Sequence, residues 1–420
     1  MYFAPPVLLK RGENRQAGRG VCRRNPIHAS IEGTPSFVFF RIGNNLQPLM
    51  QRIGHIKMAK TNKQFILVEP VARTTYPPLG LMKIATLLKQ REKNCGVFAA
   101  VGNEVPQGVS QPSAIYITSL FTWDLKHVIK SVLFYADKFP RAEVFVGGIA
   151  ASLLPDYIEK HTGINPHIGL IKEAEACAPD YSFSFRRKLD ASITFASRGC
   201  PRKCRFCSVK LHEPEFIVKE DWQRDISEHL PKIIFWDNNW LASPNFLKDC
   251  NKIRRIGKTV DFNQGLDARL YDESVAKHLS SLRIDPIRFA FDEVRSETRV
   301  LRAIALSKKY AKTEIRVYVL YNYMDTPEDF YYRISLLNRH GALAFPMEYR
   351  KAIPSQTKFP GPNWNTALLR ALKLSLIFYY RKGMITKSKE SFQSIYGKTA
   401  KQFITKLYEI YEYDKKLKRL

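Results

Sequence analysis

Long apolar runs are missing from this sequence. Runs such as 374–380, broken by Ser375, fall far short of the ~20 residues that cross a bilayer, so no membrane span is expected. No secretory leader is expected at the N-terminus either, because the short apolar run Tyr2–Leu9 precedes the first basic residues instead of following them. Of seven cysteines, Cys22, Cys95, Cys177 and Cys250 are dispersed without paired spacing, which suits structural roles and offers no disulfide framework. A reducing, cytoplasmic location follows by default. Acidic residues are few: 39 against 67 Lys and Arg, a net charge of +28. Such an excess is rewarded by phosphates and admits a nucleic-acid partner. It is spread along the chain rather than gathered in one motif, so a solvated basic surface is the favoured reading.

What the chain does have is Cys200-Pro201-Arg202-Lys203-Cys204-Arg205-Phe206-Cys207, three cysteines at C-x3-C-x2-C spacing. The run follows the β-rich stretch Ser192–Ser197 and Gly199. Three thiolates on one compact loop suit a cuboidal iron–sulfur cluster with one iron left open for a small molecule. The competing readings are weaker. A structural zinc site takes four N or S ligands, commonly in paired C-x2-C units, and only one close pair exists here, with no His-x3-5-His partner after it. A disulfide does not suit a reducing compartment.

At 420 residues, with 45% hydrophobic and 25% charged content, the chain has room for two domains with extensions. Residues 1–57 lack sustained periodicity, apart from the strand-like patch Ser36–Phe40, and read as a poorly structured extension. Met58, ahead of the first clear strand, is the expected natural start. From Gln64 to about 180, strands alternate with helices, which predicts a parallel α/β sheet. Within it, Gly147-Gly148 after a strand permits either close approach of a ligand or a tight turn. A linker at about 173–189 leads to a second region, 190–350. There six strands are predicted, at Ser192–Ser197, Lys232–Trp236, Thr259–Asn263, Ile287–Phe291, Glu314–Leu320 and Ala342–Met347. Residues 351–420 read as a helical, basic extension. It contains an apolar helix over 364–380 stopped by Gly383, and a last helix with Phe403, Ile404, Leu407, Ile410 and Tyr411 on one face.

The cysteine spacing, with the aromatic Phe206 just before the third cysteine, resembles that of the radical S-adenosylmethionine (SAM) enzymes. The six strands match that superfamily's partial (β/α)6 TIM-type barrel. The block before them, through Pro77-Pro78-Leu79-Gly80 and Val146-Gly147-Gly148, resembles the Rossmann-like, cobalamin-binding-type domain that precedes many such barrels. It departs from that pattern in lacking the Asp-x-His-x-x-Gly element, since His127, His161 and His167 stand in other contexts.

The resemblance implies a [4Fe-4S] cluster on Cys200, Cys204 and Cys207, reductive cleavage of SAM to a 5′-deoxyadenosyl radical, and hydrogen abstraction from a substrate. It requires a reducing electron donor and admits cobalamin as a further cofactor. In such barrels the chemistry sits at the C-terminal ends of the strands. That placement brings forward Phe206, then Asp237, Asn238 and Asn239 after the second strand, and Asn263, Gln264, Asp267 and Arg269 after the third, as SAM-binding candidates. Each has a plainer role open to it: helix capping for the Asp-Asn-Asn run, and a salt-bridged turn for Asp267 with Arg269. Asp292-Glu293 and Tyr321-Asn322-Tyr323 follow the fourth and fifth strands and either face the cavity or cap turns. A particular subgroup shares the runs Asp237–Asn239, Asn263–Leu270 and Arg288–Asp292, and these mark the cofactor better than the substrate. Methylthiolation of tRNA, which uses a second cluster, lacks the three further cysteines it would need. A function of another class is a basic nucleic-acid-binding protein whose cluster is structural.

Overall fold

The segment Phe65-Ile66-Leu67-Val68 is buried on both sides of the strand, the mark of a parallel sheet covered on both faces. The computed structural model describes residues 63–351, 360–378, 385 and 388–417. The expectations for residues 1–57, including Ser36–Phe40, Cys22 and the start at Met58, and the stop at Gly383 lie outside these. Strands β1 (Gln64–Glu69), β2 (Gly96–Val101), β3 (Pro112–Thr118) and β4 (Glu143–Gly147) form one sheet in the order β2-β1-β3-β4, every pair parallel. Helix α1 (Leu79–Arg91) starts where Pro78 accepts the Leu81 N–H at 3.0 Å. Its Leu81, Met82 and Ala85 pack with Phe65, Leu67 and Ala114. On the opposite face, Leu125, Val128 and Val132 of α2 (Leu125–Lys138) pack with Ile66, Val68, Ile115 and Ile117. Short helices α3 (Ile149–Leu153), α4 (Pro155–Thr162) and α5 (Lys172–Glu175) complete this part.

The second region carries two three-stranded parallel sheets. One is β5 (Ala191–Thr194), β8 (Lys232–Phe235) and β9 (Thr259–Phe262); the other is β10 (Ile287–Ala290), β11 (Ile315–Tyr321) and β12 (Leu343–Glu348). They meet where Val260 bridges to Ile284 and where the Leu266 N–H donates to the Arg288 carbonyl at 2.8 Å. The six strands thus run side by side in chain order, as those of a partial barrel do. No ladder returns from β12 to β5 among the described residues. Each predicted strand is present, with ends moved by one to three residues. A small antiparallel pair that the sequence did not suggest, β6 (Ser197–Arg198) with β7 (Ile217–Val218), follows β5.

Alternation along the strands separates two environments. Val260, Phe262, Ile287 and Phe289 face the large core shared with the surrounding helices. These are α7 (Phe246–Ile256), α8 (Glu273–Ser280), α9 (Glu297–Tyr310) and α10 (Pro327–Arg339), while the short α6 (Val209–His212) contributes no side chain to it. The intervening side chains form another group, in which Ala290, Tyr318, Leu343, Phe345 and Met347 cluster, and Arg288 makes a two-pronged pair with Asp261 at 2.6 and 2.8 Å. The chain ends in α11 (Thr366–Phe378), α12 (Lys389–Tyr396) and α13 (Ala400–Leu417). Phe403 and Leu407 of α13 are buried in the large core, with Ile404, Ile410 and Tyr411 packed against it, the face its periodicity predicts.

The predicted linker is packed against both regions. Arg187 forks onto Glu69 at 2.6 and 2.7 Å, and the Tyr181 hydroxyl takes the Ile193 N–H at 2.9 Å and donates to the Asp225 carbonyl at 2.8 Å. Across the same seam, Lys83 of α1 lies 3.3 Å from both Asp225 oxygens, with the two side chains 1% and 0% exposed. Burial lowers the Lys83 pKa and raises that of Asp225, each against the pull of its partner. Removing one member of such a pair strands the other. We expect Asp225→Ala to cost about 3–5 kcal/mol in urea unfolding. A loss under about 1 kcal/mol would show that this pair does not hold the seam.

Candidate functional site

A cavity of about 1220 Å³ opens among the loops that follow the parallel strands, and Cys200, Cys204 and Cys207 line it. Phe206, Asn238, Asn239, Gln264, Asp267 and Arg269 line it as well, together with Asp292, Glu293 and Tyr323 from the later strand ends. Asp237 and Asn263 do not. The bonds that these two residues make account for the difference. Asp237 is 3% exposed, and its carboxylate accepts from the Ala196 N–H at 3.0 Å, the Ser197 hydroxyl at 2.7 Å and the Ser197 N–H. Burial pushes its pKa up to about 7 against these donors. Asn263 is buried, its N–H donating to Phe235 at 3.1 Å and its carbonyl accepting from Tyr318 at 2.7 Å. Both residues brace the site from behind.

The cysteines sit on an excursion that begins and ends in the β6–β7 ladder. Gly199 has φ +73°, and a Cβ there would lie 1.9 Å from the Glu215 carbonyl oxygen, so only glycine makes this turn. Its N–H donates to Glu213 at 2.8 Å, Arg198 pairs with Glu213 at 2.7 Å, and Asn238 donates to the same carboxylate at 3.2 Å. Inside the loop, the Cys207 N–H donates to the Cys204 carbonyl at 3.1 Å and the Arg202 N–H to Cys200 Sγ at 3.4 Å.

Asp267 joins the cysteine loop to the later loops. It accepts from Arg202 Nε at 3.1 Å, from Asn239 Nδ2 at 3.0 Å and from Arg269 at 2.6 and 2.9 Å. The salt-bridged turn read from the sequence is therefore present, as part of a larger junction. Burial raises the Asp267 pKa, but Arg269 outweighs it and holds the carboxyl below its usual range. Burial also raises the Cys200 and Cys204 thiols, opposed at Cys200 by the Arg202 N–H and Asn239 and at Cys204 by the Arg269 charge.

Among the described residues, three thiols with no fourth Cys or His close by are the donor set that a cuboidal cluster takes, and no three His, Cys, Asp or Glu are drawn together as a metal position. A cuboidal cluster spreads its thiolates over separate irons, and Arg202 and Arg269 stand ready to offset its charge. Asn239 supplies a further sign of a ligand. The residue is 3% exposed, and its Oδ1 is buried without a partner among the described residues.

No protein-family model matches the sequence, and no curated protein sequence matches it. The fold, however, is similar to that of a radical SAM enzyme. The methyltransferase TsrM from Kitasatospora setae, solved with cobalamin and a [4Fe-4S] cluster bound, aligns with a TM-score of 0.56 over 70% of this chain and 77% of its own, at 13% identity. OxsB, a cobalamin-dependent SAM radical enzyme solved with aqua-cobalamin and SAM bound, aligns with a TM-score of 0.47 over 66% of this chain and 52% of its own, at 13% identity. At these identities the likeness is one of fold.

Other residues read from the sequence fall elsewhere. Gly148, at φ +105°, is closed by the protein itself: a Cβ would lie 2.4 Å from the Ser119 carbonyl oxygen, and Ser119 Oγ accepts the Ala151 N–H at 2.8 Å. The tight turn holds there. Tyr321 packs with Phe330 and Trp364, and Asn322, at φ +67°, takes the Gly361 N–H at 2.6 Å. Cys177 and Cys250 are buried, Cys95 is half-buried, and burial pushes the Cys250 thiol up to about 12. Glu213, Tyr318 and Arg333 were missed. Only the in-strand alternation of Tyr318 gave a signal for any of them.

Replacing one Asp237 oxygen by an amide nitrogen would set N–H groups against N–H groups. Asp237→Asn is expected to destabilise by about 1–3 kcal/mol in urea unfolding. An unchanged midpoint would show that Asp237 does not brace the loop.

Proposed function

We propose that this chain is a radical SAM enzyme in three parts: a Rossmann-like domain (58–180), a partial barrel (190–350) and a helical extension (351–420). What carries the reading is the gathering of Cys200, Cys204 and Cys207 on one glycine-closed loop facing one cavity, beside parallel strands whose fold is similar to that of TsrM. Cys200, Cys204 and Cys207 would hold a [4Fe-4S] cluster. That group would supply a binding position for SAM and the electron for reductive cleavage of its S–C5′ bond, so that hydrogen is taken from substrate.

The chain's residues bind and orient. The unpaired Asn239 Oδ1 accepts from the SAM ammonium, beside Cys200. Asn238 and Gln264 offer amides to the ribose and carboxylate. Phe206 presents a ring to the adenine, in edge contact with Tyr323 at 5.9 Å. Asp267 fixes Arg202 and Arg269 toward the thiolates, while Asp237 and Asn263 act as supports.

Cobalamin is named for TsrM and OxsB. Here the Gly147-Gly148 turn is filled by Ser119, and His161 spends Nδ1 on the Tyr157 carbonyl at 2.7 Å. We therefore assign cobalamin no residue. The basic composition supports a second reading, a nucleic-acid-binding protein with a structural cluster.

The deciding assay is anaerobic: reconstitute, reduce, add SAM and quantify 5′-deoxyadenosine. Production by the parent and none by Cys200→Ala, Cys204→Ala or Cys207→Ala is the expected result. Full production by Cys204→Ala would overturn the assignment. Nucleic-acid binding with no cleavage by a parent holding a reduced cluster would favour the second reading.

A further inference from the structure

The charges around the cavity do not balance. Among its lining acids, Asp267 is taken by Arg202 and Arg269, Glu293 by Arg295, and Asp325 by Arg333. Asp329 caps α10, accepting the Thr326 N–H at 3.2 Å. Asp292 faces Arg333, whose charge opposes the upward push of burial on its carboxyl. Lys203 and Arg205 on the cysteine loop and Arg299 on α9 line the same cavity. All three are exposed, and none has an ion-pair partner among the described residues. Cations brought to one concave site without counter-ions focus a positive potential there, and a guanidinium fork complements a phosphate.

The cavity also has room for more than one ligand. Its 1220 Å³ exceeds the roughly 300–1,000 Å³ of ordinary single-ligand pockets. Tyr323 adds a flat ring to the wall, held against Tyr349 at a centroid distance of 4.8 Å.

We propose that the substrate of this cavity bears a phosphate ester, held by Lys203, Arg205 and Arg299. That the ligand is a substrate rests on the SAM-cleavage reading; that the site binds phosphate does not. The phosphate belongs to a mononucleotide or to a nucleic-acid chain, and the two are separable by competition.

The test uses the full chain with its cluster reconstituted under anaerobic conditions. Binding of a labelled single-stranded RNA 12-mer is measured by anisotropy at several salt concentrations, with AMP, pyrophosphate and uncharged adenosine as competitors. Arg299→Glu is expected to weaken binding about tenfold or more and to lower the salt slope by about one, with Arg299→Lys recovering part of the loss. The double variant Lys203→Gln/Arg205→Gln should weaken it independently. Competition by AMP but not adenosine assigns a mononucleotide, and displacement by unlabelled RNA alone assigns the polymer; either supports the proposal. Equal affinity for the parent and Arg299→Glu, with both folded by circular dichroism, overturns it. So does a parent that binds none of the phosphate-bearing probes. 5′-Deoxyadenosine is assayed on the same samples: a parent that makes none, yet whose RNA affinity falls in Arg299→Glu, leaves this inference standing while the SAM-cleavage reading fails.

Discussion

The fold of residues 199–216 back onto itself is the constraint on which the site depends. Closing a loop of this length costs about 2–3 kcal/mol of chain entropy, before any constant term. The two-residue ladder of β6 with β7 offers little against that. Glu213 supplies the rest. Its carboxylate collects the Gly199 N–H, the Arg198 guanidinium and the Asn238 amide, and hydrogen bonds to a charged group contribute about 1.5–3 kcal/mol each. Two such bonds exceed the closure term. The thiols therefore present to the cavity in a loop whose shape is set from outside the cysteine motif.

The same device recurs at larger scale. Lys83 with Asp225 joins α1 to the second region, and Arg187 with Glu69 ties the linker to β1. Buried ion pairs contribute little net stability against well-packed apolar alternatives, yet breaking one is costly. Their effect is to select one registration of two packed surfaces over its neighbours. Apolar contact of Leu79 with Ile193 and Phe195 supplies the attraction, and the pairs supply the fit.

Strand positions were legible because their signal is local. Val-Tyr-Val-Leu in β11 or Lys-Ile-Ile-Phe in β8 can be read without knowing what lies opposite. The cysteine loop was legible for the same reason. Facing direction was not. Asp237, Asn238 and Asn239 are three consecutive polar residues, yet the first turns into the backbone of Ala196 and Ser197 and the other two line the cavity. Glu213 and Arg333 were invisible because their meaning lies in distant partners. Arg333 is fully buried and gathers the carbonyls of Phe291, Asp292 and Leu320 at 2.8–3.0 Å. An arginine in a helix otherwise reads as surface. The Gly-Gly turn misled in the opposite way, since a glycine demanded by its own neighbour looks the same in sequence as one demanded by a ligand.

The polar group between the strands bears on the proposed chemistry. Tyr318 lines the cavity, and its hydroxyl is tied on both sides, donating to the Asn263 carbonyl at 2.7 Å and accepting from Arg288 at 3.1 Å. Arg288 is itself fixed by Asp261, and Lys232 reaches that carboxylate at 3.4 Å. Rotating the phenol toward the cavity would leave buried donors and acceptors unpaired, at about 1–3 kcal/mol for each. Its O–H hydrogen is therefore committed to Asn263. Together with Ala290 and Met347, Tyr318 presents a fixed surface to whatever the cavity holds. Under the proposed chemistry, that surface includes a phenol whose O–H is already engaged by a backbone carbonyl.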